Sequence, residues 1–92
     1  MSKDILILGA GESGVGAAKL AMVLGQTPFV SDAGEGKAAF LAELDAEGIG
    51  YEVGGHNPEV WPKVETVVKS PGIPEDVAVV KDLRLSGVEI IS

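Results

Sequence analysis

One short stretch limits what this chain folds into more than any other. Ile5-Leu6-Ile7-Leu8 runs directly into Gly9-Ala10-Gly11-Glu12-Ser13-Gly14, and a small-residue helical pattern opens at once behind it. Four consecutive aliphatic residues predict a strand buried on both faces, as a parallel sheet requires. The glycines match G-x-G-x-x-G in the context where that pattern carries meaning, between a strand and a helix. There Gly9 makes the tight turn, Gly11 lets the backbone approach a phosphate, and Gly14 lets the helix press on the strand. The unpaired N–H groups of the first helical turn, at the positive end of the helix dipole, then face an anion. With 13 glycines in 92 residues, the bare pattern also arises by chance. It equally describes a turn that packs well and binds nothing, so its surroundings decide.

Those surroundings alternate between strand and helix. A nearly all-apolar helix is predicted from Ser13 to Leu24, largely buried on a sheet and stopped by Gly25. Phe29-Val30-Ser31 forms a short second strand that ends at Asp32, and a second helix runs from Lys37 to Glu47. Ile49 to Val53 alternates as a short strand near an edge. Val64 to Ser70 is the fourth strand, followed by the turn Ser70-Pro71-Gly72-Ile73-Pro74. Pro74 then suits the first position of a third helix, with Glu75 and Asp76 in its first turn. Val88 to Ile91 is the fifth strand.

This order predicts an α/β fold: a Rossmann-like three-layer α/β/α domain spanning residues 1–92. Its five-stranded parallel sheet has the order 3-2-1-4-5, with right-handed crossovers. Ligands of such sheets sit beyond the carboxyl ends of the strands where the order reverses, here between strands one and four. The two glycine turns are therefore expected side by side, with Asp32 on the flank of strand two. Such a crevice suits a diphosphate joined to a nucleoside.

Individual residues keep two readings. Asp32 follows Gly14 by 18 residues, near the spacing at which an acid takes ribose hydroxyls. It also opens Asp32-Ala33-Gly34, which is capping and turn chemistry. Ser70-Pro71-Gly72 alone would pass as a plain strand-to-helix turn. His56, with no cysteine and no second histidine in the chain, reads as a loop residue rather than a metal ligand. Trp61 reads as an anchor for a weakly apolar segment, with base stacking as the alternative.

The net charge of −7 excludes a nucleic-acid binder that works by general attraction. Any phosphate must be held locally by backbone N–H groups. Zero cysteines exclude disulfides and thiolate metal sites. With no basic-then-apolar leader and no long apolar run, a soluble cytoplasmic monomer is expected, with no membrane partner.

Together the motifs resemble the N-terminal domain of a Mur ligase, in the branch that adds D-glutamate during bacterial peptidoglycan synthesis. The resemblance rests on Gly9 to Gly16, Val30-Ser31-Asp32, Gly54-Gly55-His56, Val68 to Pro74 and Gly87 to Ile91, in that order. It implies a domain that holds the UDP part of UDP-N-acetylmuramoyl-L-alanine. A central domain binding ATP and magnesium, and a C-terminal domain bringing D-glutamate, would belong to the parent enzyme. By position, the resemblance implies substrate contacts at Gly11, Glu12, Ser13, Gly14, Asp32, Ala33, Ser70 and Gly72. Two departures stand out. Ala33-Gly34 replaces the hydroxyl and arginine that some members carry, and Glu12 puts a carboxylate beside the diphosphate. No G-x-x-x-x-G-K-[ST] loop occurs here, so the 92 residues are expected to recognise substrate without catalysing. The competing reading is an NAD(P)-binding Rossmann module of an oxidoreductase or redox-sensing regulator; a structural domain that binds nothing is a third.

Overall fold

The computed structural model describes residues 4–91, so residues 1–3 and 92 of the expected domain lie outside the description. Chain order is β1 (Asp4–Leu8), α1 (Glu12–Val23), β2 (Thr27–Ser31), α2 (Ala38–Ala46) and β3 (Gly50–Glu52). A single 3-10 turn (Pro58–Val60) then leads to β4 (Thr66–Lys69), α3 (Ala78–Leu85) and β5 (Glu89–Ile91). The strands form one parallel sheet in the order β3-β2-β1-β4-β5, as the alternation predicts.

The continuous apolar run of β1 has a direct structural cause. Ile5 and Ile7 face the cluster under α1 and α2, built from Val15, Ala18, Ala21, Val30, Leu44 and Ile49. Leu6 and Leu8 face the opposite cluster, with Val67, Val80 and Leu83, against which Trp61 packs. The central strand is thus covered on both sides, and neither face tolerates a polar residue. Trp61 acts as the expected anchor.

Two expectations are corrected. The apolar helix α1 is not largely buried: Leu20, Val23 and Leu24 are 59%, 81% and 64% exposed. Its buried residues are the small stripe of Gly14, Ala18 and Ala21, with Val15, and Ala17 packs beside them. On its outer flank no described element covers the groove of about 420 Å³ between Leu20, Leu24, Val68 and Ile91. An apolar run marks burial only where a neighbour exists to bury it. The third helix starts at Ala78, behind Val77, rather than at Pro74. The Ile73 carbonyl that would open an earlier helix accepts instead from the Lys69 ammonium at 2.8 Å, and Glu75 turns to pair with the same lysine.

Candidate functional site

The two glycine turns touch. The Ser70 N–H donates to the Leu8 carbonyl at 3.0 Å, and a Cβ at Gly9 would stand 3.0 Å from Ser70 Cβ. Gly9 itself has φ of +108°, a conformation only glycine adopts freely, and its N–H donates to the Ser31 carbonyl at 2.9 Å. Gly14 is required for a different reason: a Cβ there would lie 1.8 Å from the Gly9 carbonyl oxygen. The turn and the first turn of α1 are therefore in backbone contact, as the sequence pattern demands.

That contact aims the helix N-terminus at the crevice. Gly11 caps α1 without a side chain, and the first intrahelical bond is from the Val15 N–H to the Gly11 carbonyl. The N–H groups of Glu12, Ser13 and Gly14 precede that bond and have no helical partner. A Cβ at Gly11 would meet no heavy atom within 4 Å, so the space in front of the turn is open.

Gly11, Asp32, Ala33, Ser70 and Gly72 share one cleft of about 510 Å³. Ile73, Pro74, Val77 and Val79 give it an apolar wall. A second cleft of about 590 Å³ shares Gly11 and Asp32 and adds Glu12, Glu35 and Lys37 toward α2. Ser13 and Gly14 line neither cleft; Ser13 is exposed on the helix and Gly14 is buried beneath it. Six of the eight residues singled out from the sequence thus converge, and these two lie just behind.

Asp32 is engaged with the backbone. Its Oδ2 accepts from the Ala10 N–H and its Oδ1 from the Gly34 N–H, both at 2.7 Å. The acid ties the first glycine turn to the tip of β2, which is the capping and turn role among its two readings. Its remaining lone pairs still border the cleft.

Three features escaped sequence reasoning. Lys69 is 5% exposed, and its ammonium donates to the Ile73 carbonyl and pairs with Glu75 Oε2 at 3.3 Å. Glu75 also receives Arg84; the Arg84 hydrogen bonds, helped by Lys69, outweigh desolvation and hold the Glu75 carboxyl below its ordinary value. The third is a cluster at the ends of β2 and β3. The buried Ser31 hydroxyl donates to Glu52 Oε2 at 2.7 Å and lies 2.6 Å from His56 Nδ1. The Trp61 indole N–H donates to the same carboxylate, and the Asn57 N–H reaches both its oxygens at 3.0 and 3.1 Å. Burial acts to raise the Glu52 carboxyl, but these hydrogen bonds win and hold it below its ordinary value. His56 lines the 510 Å³ cleft beside Asp32 and Ser70. The only sequence signal for this was its place after Gly54-Gly55.

Residues 3–92 match the family model of the Mur ligase MurD-like N-terminal domain. The chain belongs to that family. It is 48% identical over 92 residues, all of this chain, to UDP-N-acetylmuramoylalanine--D-glutamate ligase of Cytophaga hutchinsonii. The enzyme of the same name from Bacteroides fragilis is 49% identical over 90 residues, 98% of this chain. In both cases the chain spans about a fifth of the relative's length (20%). Among solved structures, UDP-N-acetylmuramate-alanine ligase MurC from Thermotoga maritima superposes with a TM-score of 0.78 at 21% identity. That match covers 99% of this chain and 20% of the other, and shows the shared fold. Shikimate dehydrogenase from Aquifex aeolicus, at a TM-score of 0.50 and 20% identity, covers 98% of this chain and 42% of its own. The chain is thus an N-terminal domain of the MurD-like type of Mur ligase. No described helix is long and apolar enough to cross a membrane.

Proposed function

We propose that this domain holds the uridine diphosphate end of UDP-N-acetylmuramoyl-L-alanine for a ligase that adds D-glutamate to it. One observation carries the reading: α1 opens with unpartnered N–H groups directly behind Gly11, and Gly11 lines the crevice that the second glycine turn closes on the other side. With a net charge of −7, the chain offers a dianion no general attraction, so local N–H donors must hold it. Glu12 and Asp32 carboxylates border the helix N-terminus and Glu35 the α2 arm, so backbone N–H groups rather than side chains must take the phosphates. The diphosphate therefore belongs at the α1 N-terminus and the nucleoside along the apolar wall of Ile73, Pro74 and Val77. Substrate contacts are assigned to Gly11, Glu12, Ser13, Gly14, Asp32, Ala33, Ser70 and Gly72, mostly through backbone. ATP and magnesium act in the remainder of the longer enzyme, because these residues contain no P-loop. The isolated domain is inactive on this account.

An amide-resolved NMR titration with UDP-N-acetylmuramoyl-L-alanine, run beside NAD, tests the assignment. Shifts at Gly11 to Gly14, Asp32 and Gly72 are expected with the uridine ligand alone. The same shifts with NAD alone would make the chain a dinucleotide module, and silence with both would refute a binding site in the isolated domain. Gly11→Val places a branched side chain in the open space before the turn, so it should abolish binding while leaving the fold intact.

A further inference from the structure

The cluster at the tips of β2 and β3 fixes where protons sit, and one atom is left over. Glu52, held in its ionised form, only accepts hydrogen bonds. Ser31 has a single hydroxyl hydrogen, and it goes to Glu52 Oε2. The 2.6 Å contact between Ser31 Oγ and His56 Nδ1 then requires the imidazole to be the donor, so Nδ1 carries the proton. A neutral imidazole with its proton on Nδ1 has a lone pair on Nε2. Among the described residues Nε2 has no hydrogen-bond partner, and no buried side-chain nitrogen there lacks one. Nε2 therefore reaches solvent, on a half-buried ring that lines the cleft with Gly11, Asp32 and Ser70. The Trp61 indole N–H and Asn57 N–H occupy the other acceptor positions of Glu52, so the relay does not rearrange freely.

We propose that His56 is a ligand-contacting residue of this cleft, offering its Nε2 lone pair to a hydrogen-bond donor of the bound nucleotide, with Ser31 and Glu52 as positioning residues that set its tautomer. The matching donor is a ribose hydroxyl or a ring N–H of the base, the groups such a nucleotide presents beyond its phosphates. This inference rests on the nucleotide reading above.

His56 is the only histidine, so one labelled ring reports without ambiguity. Long-range ¹H–¹⁵N correlation of the 92-residue chain in mildly alkaline buffer, where an imidazole is neutral, should show a protonated Nδ1 and an unprotonated Nε2. An Nε2–H or doubly protonated pattern would overturn the proposal in the unmodified chain. On titration with uridine diphosphate, the Nε2 resonance should move together with the Gly11 to Gly14 amides. His56→Ala should weaken uridine diphosphate binding roughly threefold to tenfold, the scale of one hydrogen bond, in a chain whose amide spectrum shows it still folded. Ser31→Ala should mix the two tautomers and weaken binding to a similar degree, which loss of packing alone would not do. Amide shifts with a silent Nε2 and unaltered affinity in His56→Ala would remove the histidine and leave the nucleotide reading standing. No shift at either place would overturn both.

Discussion

The crevice is made of two turns that look alike in sequence and are held by different physics. Both follow a central strand and both contain glycine. The first, Gly9 to Gly14, is fixed by backbone: Gly9 in a positive-φ conformation, Gly14 against the Gly9 carbonyl, and the Ala10 N–H on Asp32. It runs straight into α1, so it carries a helix N-terminus. The second, Ser70 to Pro74, is shaped by a side chain, the buried ammonium of Lys69 on the Ile73 carbonyl. Its helix opens only at Ala78, too far along to point its N–H groups at the same place. On the proposed function the first turn is thus the anion cradle, and the second is a wall. Glycine in a turn implies a phosphate site only where a helix begins immediately after it.

Substitutions probe this contrast in descending order of effect. Gly14→Ala should be the most damaging, because a methyl group 1.8 Å from a backbone oxygen forces α1 off the sheet. A loss of roughly 3 kcal/mol or more is expected from urea unfolding. A variant as stable as the parent would break the account of the first turn. Lys69→Met should cost about 1–2 kcal/mol, since it strips the Ile73 carbonyl of its donor while filling the space. Its amide shifts should stay within residues 70–76, and shifts spreading to Gly9 to Gly14 would mean that the turns are not held independently.

Each turn also leans on a carboxylate. Glu52 supports the first through Ser31, and Glu75 supports the second through Lys69. Both carboxyls lie below their ordinary value of 4.5 in the folded chain. A depressed folded pKa adds stability above the unfolded value, and that stability is lost as pH falls through the folded one. The advantage of the parent over Glu52→Gln should therefore be constant near neutrality and shrink below about pH 4.5. Glu75→Gln should show the same sign with smaller amplitude, because Glu75 itself and its partner Arg84 are exposed and solvent screens them. Equal amplitudes in acid denaturation curves would contradict the burial of the Glu52 cluster. The smallest effect belongs to Gly72→Ala. A Cβ there meets nothing within 4 Å, so the unfolding midpoint should move by less than about 0.5 kcal/mol.

Much of this molecule was readable before its structure. Alternating strand and helix signals, with the crossover rule, yield the sheet order and the meeting of the two turns. The role of Gly14 followed from spacing, since a helix can approach a strand so closely only over a missing side chain. What stayed hidden involves side chains that meet across the sheet. Ser31 and Glu52 are register partners on β2 and β3, and His56 returns over them by a loop path that no local pattern encodes. Lys69 looks like an ordinary polar strand end until the turn closes over it. The apolar run of α1 announces burial, but only the placement of neighbours decides which side receives it.

The sequence by itself determined the backbone scaffold: five strands, their order, and a glycine turn opening on a helix N-terminus. These depend on local periodicity and on steric rules that act within a few residues. Only the tertiary structure decided which side chains complete the crevice, because hydrogen bonds among Ser31, Glu52, His56 and Lys69 require strand register and loop closure. Those arise from packing over the whole sheet.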